Sequence, residues 1–370
     1  MATVAEIAGW LEAIAPARTA ESWDRVGLQT GDPGRPVARC LVALTPSREV
    51  VAQAVAHGAQ LLITHHPLIF APPGELRDDA PERAALLAAV RGSLAVLVAH
   101  TNLDLAEPGV NVWLAARLGL LETSPLVPGA KTPHYKLVVF VPEAHAPAVQ
   151  AAVFAAGAGG IGRYDHCGFK APGEGSFRPL PGSRPFLGRE GETERVAEVR
   201  FETVVPEAAI EPVLAAMHAA HPYEEVAYDL YRLERPSRPV GLGRIGRLAA
   251  PKPWPDWLAQ LKAALACPYV RVAGTPPDLV QRIAVCGGAG GSTIAQARAR
   301  GAELLVTGDV KFHDAQDAAD AGFCVVDAGH FATERPLVAA LIDVLAGLAG
   351  EAGARIEWLA ADERDPFVVE

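Results

Sequence analysis

Ile7, Trp10, Leu11 and Ile14 recur at helical spacing within Ala5–Ile14, and the chain beyond alternates short, wholly apolar runs with segments of helical period. That pattern predicts strands at Cys40–Leu44, Gln60–Thr64 and Leu94–His100, and helices at Arg48–His57, Pro81–Gly92 and Val110–Leu118. Strands that are apolar throughout, each followed by a helix, mean βαβ units and a mostly parallel sheet covered on both faces. The same texture returns after Gly241. Strands are expected at Arg282–Cys286, Glu303–Thr307 and Phe323–Asp327, and helices at Trp254–Leu265, Ser292–Arg300, Asp314–Ala321 and Thr333–Gly347. Between Pro133 and Pro236 the pattern differs: strand Tyr135–Val141, helix Ala146–Ala156, alternating strand Val196–Val204, helix Glu207–Ala220 and strand Val226–Leu233. Two β-α-β halves of this kind describe a ferredoxin-like unit. The Gly/Pro-rich stretch Gly168–Gly191 between them has almost no apolar periodicity and reads as a long loop. The expected architecture is therefore a discontinuous three-layer α/β domain with a mostly parallel sheet, built from residues 1–131 and 237–370. A ferredoxin-like α+β domain, residues 132–236, is inserted into it.

Composition narrows the class. Half of the 370 residues are hydrophobic but only 6% are aromatic, so the core is built from Ala, Val, Leu and Ile, as layered α/β packing requires. The apolar runs Leu41–Leu44 and Leu94–Ala99 fall far short of the ~18 to 20 residues that cross a bilayer. With 33 Lys and Arg against 43 Asp and Glu, the formal charge is −10 with no block of like sign, which argues against a dedicated nucleic-acid binder. The five cysteines, Cys40, Cys167, Cys267, Cys286 and Cys324, stand singly with no C-x-x-C pair. A cytoplasmic protein without a disulfide framework or membrane segment is expected.

The 11 histidines carry more information, because His65 and His66 are adjacent and close a predicted strand. Successive side chains of a regular strand point to opposite faces, so two neighbours serve one site only where the strand has just ended. Pro67 forces that turn. By itself the pair reads equally as metal ligands or as a structural or surface pair. His100-Thr-Asn-Leu-Asp104 follows the next strand, and alone it reads first as a turn with an N-cap for the helix near Val110. In Asp327-Ala-Gly-His330-Phe-Ala-Thr333-Glu334-Arg335-Pro336, Thr333 is a natural N-cap, which puts Glu334 in the first turn and His330 on the incoming loop. Glu334 could equally just complement the positive end of that helix. Thr307-Gly-Asp309-Val-Lys-Phe-His313-Asp314 closes a fourth strand, with Asp309 or Asp314 readable as caps and His313 as a surface residue.

Four strand ends that each carry His, Asp or Glu are hard to produce by packing demands alone, and adjacent parallel strands converge such ends on one crevice. Nitrogen and carboxylate ligands without thiolate suit Zn, Mn, Fe or Co rather than a structural Cys-type zinc site. His65, His66, Asp104, His330 and Glu334 make five candidate ligands. A catalytic zinc typically takes about three from the protein, so five suggest two ions sharing a carboxylate. The run Cys286-Gly-Gly-Ala-Gly-Gly-Ser292, between a strand and a helix, reads as a close-packing turn in preference to a phosphate cradle.

Together Ser22-Trp-Asp-Arg-Val-Gly-Leu-Gln29, Ile63-Thr-His-His-Pro-Leu-Ile69, His100-Thr-Asn-Leu-Asp104, Thr307-Gly-Asp309 and Asp327-Ala-Gly-His330 with Thr333-Glu334 resemble the Nif-three-like dinuclear metal-centre family, whose members are often labelled "GTP cyclohydrolase I type 2 homologue". Gly173-Glu-Gly-Ser-Phe-Arg-Pro-Leu-Pro-Gly182 and His221-Pro-Tyr-Glu-Glu-Val226 resemble the longer bacterial members, whose extra domain is similar to CutA and signalling-protein modules. Ser176 stands where many members have Thr. The resemblance implies a toroidal homohexamer with a two-metal site facing its cavity, held by His65, His66, Asp104, His330 and a bridging Glu334. It places His100, Asp309 and His313 near the site, with His100 and His313 as proton-transfer or orienting candidates.

The implied activity is a metal-dependent hydrolase in which two divalent ions, Zn, Mn or Fe, generate hydroxide and polarise a nucleotide or related small substrate, GTP being attacked at C8 of its base. The alternative is a metal carrier, or a regulatory hexameric scaffold whose insert senses a ligand.

Overall fold

The computed structural model describes residues 1–72, 74–77, 79–80, 83–129, 133–162, 164–234 and 240–368. By contacts the chain divides into two compact units, Met1–Ala130 with Arg238–Glu370, and Lys131–Ser237.

Along the first unit run β1 (Ala2–Thr3), α1 (Val4–Ile14), β2 (Gly27–Thr30), β3 (Pro36–Val37), β4 (Arg39–Ala43), α2 (Arg48–Ala56), β5 (Leu61–Thr64), α3 (Ala84–Arg91), β6 (Ala95–Val98), α4 (Thr101–Leu105), α5 (Val110–Arg117) and β7 (Leu121–Pro128). The second unit holds β8 (His134–Pro142), α6 (Ala146–Ala155), β9 (Gly168–Phe177), β10 (Glu194–Pro206), α7 (Ile210–Ala220) and β11 (Tyr228–Leu233). The first unit resumes with β12 (Gly241–Pro253), α8 (Trp254–Leu265), β13 (Arg271–Ala273), β14 (Leu279–Ala289), α9 (Ile294–Ala299), β15 (Leu304–Gly308), α10 (Phe312–Asp320), β16 (Cys324–Asp327), α11 (His330–Glu334), α12 (Pro336–Glu351) and β17 (Glu357–Ala360). Of the expected helix Pro81–Gly92, residues 81 and 82 lie outside the described residues.

Where one mostly parallel sheet was expected, the first unit has two larger sheets. One is ordered β17-β4-β5-β6-β2 and is parallel except at β2; the other, β13-β16-β15-β14-β12-β7, is parallel only across β14, β15 and β16. Alternation along the strands sends side chains to helices on both faces. In the first sheet Val42, Leu61, Ile63 and Leu97 pack with Ile7, Leu11, Leu341 and Leu345, while Leu41, Leu62 and Val96 pack with Val50, Val51 and Ala54. In the second, Ile283, Val285, Leu304 and Val306 meet Leu114, Trp257 and Leu261, and Ala284, Leu305 and Val325 meet Ala297 and Ala318. Both faces being covered explains why β5, β6, β15 and β16 are buried at every position.

Helix starts follow local chemistry. Thr3 and Glu6 form a reciprocal capping box on α1, and Ser47 caps α2 by accepting the Val50 N–H.

The inserted unit is a four-stranded antiparallel sheet, β11-β8-β10-β9, with α6 and α7 packed through Val149, Val153, Val213 and Met217 on Leu137, Val139, Val199 and Phe201. Here the expected loop Gly168–Gly191 is corrected. Its first part is β9, which pairs with β10 from Gly168↔Thr203 to Phe177↔Glu194. No position of β9 is buried, so its side chains show no hydrophobic pattern. As an edge strand it also tolerates Pro172.

One buried cation ties the halves of the first unit together. Arg244 of β12 is 1% exposed and donates to the carbonyls of Gly241, Gly243 and Ala106 and, at 2.5 Å, to Glu107 Oε2. Ala106 and Glu107 directly follow α4. Removing a buried, fully bonded partner leaves the other charge and several carbonyls uncompensated. Arg244→Ala is expected to lower the unfolding free energy by about 3 kcal/mol, measured by urea denaturation. An unchanged midpoint would show that the pair carries no stability.

Candidate metal centre

The strand ends that carry the candidate ligands belong to both large sheets of the first unit, and they converge. At the end of β5 the His65 and His66 N–H groups continue the ladder by donating to Ala43 O (3.3 Å) and Leu44 O (2.8 Å). After β6 the short helix α4 carries Asp104. After β16, α11 carries His330 and Glu334, four apart and therefore on one helix face.

In each of the three histidines the Nδ1 atom is engaged elsewhere. His65 Nδ1 donates to Ala99 O (2.8 Å), which fixes the ring and turns Nε2 toward the carboxylates. His66 Nδ1 meets Thr45 Oγ1 (2.9 Å), and His330 Nδ1 donates to Asp309 Oδ2 (2.7 Å). All three Nε2 atoms then turn to the carboxylates. His65 Nε2 stands 3.6 Å from Asp104 Oδ1 and 3.6 Å from Glu334 Oε1. His66 and His330 Nε2 each stand 3.1 Å from Glu334 Oε2 and 3.3 Å from one another. The two oxygens of Glu334 thus face different histidines.

Those atoms do not satisfy one another. His65 Nε2, Asp104 Oδ1 and Glu334 Oε2 are buried without a hydrogen-bond partner. Orphaned buried polar atoms are rare, because each loses its hydration with nothing in return. Donors held ~2.1 Å from one ion in a tetrahedral array stand roughly 3.4 Å apart, close to the separations seen here. The residues present therefore fit divalent metal, and the described residues include two groups of donors able to hold one: His65, His66 and His100, and His66, His330 and Glu334.

Without an ion the buried carboxylates hold protons on the imidazoles, and a divalent cation would take the place of those protons. Burial alone would push the His65 imidazole down; the carboxylates of Asp104 and Glu334 outweigh it and hold it at about 9. His330 is raised to about 9, chiefly by Glu334 and then by Asp309. Burial lifts the Asp104 carboxyl to about 7, although His65 opposes it. Burial would lift Glu334 as well, but His65 and the other two imidazoles hold it well below the usual carboxylate range.

The loops around the cluster are clamped by acidic residues. Asp24 accepts from His100 Nδ1 (2.9 Å), from the Thr101 N–H (3.0 Å) and from the Thr101 hydroxyl (2.5 Å). Burial lowers the His100 imidazole against the pull of Asp24. Asp327 accepts the N–H groups of Val310 (3.1 Å) and Gly329 (3.0 Å) and pairs with Arg271, which fixes both loops that frame His330. The sequence pattern singled out neither acid for these roles. Each lies in a quoted motif, which is the signal that could have found it.

Several expected roles are corrected. Thr333 is not an N-cap: α11 begins at His330, and the Thr333 hydroxyl bonds back to Gly329 O (2.9 Å) while accepting the Gly288 N–H (3.0 Å). Asp104 does not cap α5, whose N-cap is Gly109, and neither Asp309 nor Asp314 caps α10, whose N-cap is Lys311. His313 is exposed on α10 and, among the described residues, forms no hydrogen bond or ion pair with the cluster; its ring lies against Phe312. The glycine run packs closely as a turn, the N–H groups of Gly287, Gly288 and Gly290 being taken by Asn111, Thr333 and Thr307. Gly288 has φ +62°, and a Cβ there would lie 2.3 Å from Glu334 Oε1.

Space remains for a reactant. A cavity of about 560 Å³ opens on His66 and His330, with Tyr269, Arg271, Phe331 and Phe367 in its wall. Beside His100 two exposed rings, Trp23 and Phe70, lie 5.9 Å apart, and Trp23 meets His100 edge-on at 6.2 Å.

Comparison with known proteins adds three findings. The family described as Duf34/NIF3 (NGG1p interacting factor 3) matches residues 2–366. Proteins named "GTP cyclohydrolase 1 type 2 homolog" from Mycobacterium tuberculosis and Bacillus subtilis are similar to this chain. The first is 42% identical over 347 residues, 92% of this chain and 91% of its own length. The second is 41% identical over 321 residues, 87% of this chain and 86% of its own length. The crystal structure of a Bacillus cereus protein related to NIF3 aligns at 38% identity with a TM-score of 0.81, covering 100% of this chain and 99% of that one.

Partners that orient a ligand govern metal affinity almost as strongly as the ligands do. Asp309→Asn is expected to weaken Mn²⁺ or Zn²⁺ binding by about 10- to 100-fold in calorimetric titration, with thermal stability of the metal-free protein preserved. An affinity equal to that of the parent would show that His330 needs no support from Asp309.

Proposed function

The chain belongs to the Duf34/NIF3 family, and on that premise we propose that its imidazole and carboxylate cluster is a two-metal hydrolase centre. His65, Asp104 and Glu334 would hold one divalent ion, and His66, His330 and Glu334 would hold the other. Zn, Mn and Fe all suit this donor set. The single observation behind the assignment is that the oxygens of one buried carboxylate face separate histidines while the surrounding buried donors lack partners.

Two ions bound there supply Lewis acidity and make water acidic enough to ionise near neutral pH. The remaining work falls to the chain. Asp24 fixes His100 through Nδ1 and leaves Nε2 to accept or return a proton at the edge of the cluster. Asp309 and Asp327 hold His330 and its loop so that Glu334 keeps its place. His313, exposed and uncoupled from the cluster among the described residues, is the weaker of the two proton-transfer candidates.

A nucleotide or related small molecule is the proposed substrate class. The name borne by the relatives makes GTP the first candidate; hydrolysis at C8 of its base consumes two waters, opens the five-membered ring and releases C8 as formate. We further read the insert as ferredoxin-like, supported by its β-α-β-β-α-β order, and the remainder as one discontinuous α/β domain built on two larger sheets. The assembly is read as a toroidal homohexamer in the cytoplasm. No helix among the described residues is long and apolar enough to cross a membrane.

Protein loaded in turn with Zn²⁺, Mn²⁺ and Fe²⁺ is expected to release formate from GTP, with His65→Ala and Glu334→Ala reducing the rate by at least about 100-fold. Metal bound at full occupancy, with no formate released by any of the three forms, would contradict GTP as the substrate. Light scattering is expected to give a species of six 38.8 kDa chains; a monomer at micromolar concentration would contradict the hexamer.

A further inference from the structure

Two motifs of the inserted unit take no part in the metal centre, Gly173–Gly182 and His221–Val226, yet within that unit they line one cavity of about 700 Å³. Strand alternation explains why the cavity exists. Leu137, Val139, Val141, Val199 and Phe201 face the core shared with α6 and α7, so Phe140, Glu198 and Arg200, one residue out of phase, emerge on the opposite face of the sheet. The segment 178–186 closes over them.

The walls are aromatic and held in place. Tyr223 lies 5.6 Å from the Phe177 ring and 6.4 Å from Phe186. The Tyr223 N–H donates to Nδ1 of buried His221 (3.1 Å), whose Nε2–H donates to Phe140 O (3.0 Å), so one imidazole fixes two of the ring-bearing segments. At the centre the Tyr223 hydroxyl donates to Glu198 Oε1 (3.0 Å). Burial and Glu198 push the Tyr223 phenol up, so it remains a donor. A Cβ at Gly175 would lie 2.1 Å from Glu198 Oε2, so only glycine there leaves room for the carboxylate.

Charge in the cavity is mostly negative. Glu174, Glu198, Glu224 and Glu225 line it, against Arg178 and Arg200. Arg200 is held by Glu202 (2.8 Å), and Glu174 is held by Arg195 from outside (2.6 Å). Glu198 Oε2 and Glu225 have no partner among the described residues. Ring faces around an unneutralised carboxylate attract cations and repel phosphates and carboxylates. A volume of this size admits a molecule up to the bulk of a nucleoside.

We propose that this cavity is a binding site for a small organic cation, a protonated amine on an aromatic or aliphatic body, with its charge against Glu198 and its body among Phe177, Phe186 and Tyr223. Every residue lining the cavity belongs to the inserted unit.

The test compares tyramine, tyrosol and 4-hydroxyphenylacetate, which share one ring and differ in charge, by calorimetric titration of the full-length, metal-loaded protein. Tyramine is expected to bind about tenfold more tightly than either of the others, and Glu198→Gln to remove that preference without changing metal content. Phe186→Ala, at the exposed rim, is expected to weaken tyramine about threefold, which keeps the test decisive if Glu198→Gln folds poorly. Equal affinity for all three compounds, preference for the acid, no tyramine binding at millimolar concentration, or a preference that survives Glu198→Gln would each overturn the proposal.

Discussion

Glu334 holds a carboxylate that is 4% exposed, and among the described residues its charged neighbours are the imidazoles of His65, His66 and His330 rather than any Lys or Arg. A carboxylate cannot be taken out of water without compensating positive charge. Protonated imidazoles supply that charge only by giving up their Nε2 lone pairs, whereas with Nδ1 tethered the deprotonated rings would offer Nε2 to a metal. The arrangement is reconciled if divalent cations provide the compensation. Much of the local architecture serves this one requirement: the short helix α11 presents Glu334 and His330 together, Gly288 makes room, and Thr333 bonds α11 to the glycine turn.

Each sheet contributes what the other lacks. The parallel strands of the first end in His65, His66 and His100, and those of the second end in Asp309 and Asp327, next to α11. Acidic residues then fix the junction: Asp24 holds the start of α4, while Asp309 and Asp327 hold the approach to α11. Arg244, buried behind α4, secures the segment that follows Asp104. Rigid positioning of this kind lets donors remain near one another without satisfying one another.

Strands buried on both faces were legible because their apolar runs are unbroken: β4, β5, β6, β15 and β16 lie where the pattern put them, within a residue or two at each end. Histidines and acids at the ends of such strands were legible as well. What escaped was whatever depends on contacts distant in sequence. β12 is rich in glycine and β9 is exposed along its length, so neither carries a strand signature, and both owe their conformation to pairing. That the strand ends belong to two sheets rather than one is likewise set by pairing. The Asp24–His100 contact spans 76 residues and has no local signal. Thr333 looks like a cap because Pro336 does start a helix, but α11 already occupies the preceding turn.

The proposal that two metal ions flank the Glu334 carboxylate is open to anomalous diffraction from crystals of Zn²⁺- or Mn²⁺-loaded protein. Two anomalous peaks are expected on either side of that carboxylate, one against His65 and Asp104 and the other against His66 and His330. A single peak, or peaks away from Glu334, would contradict it.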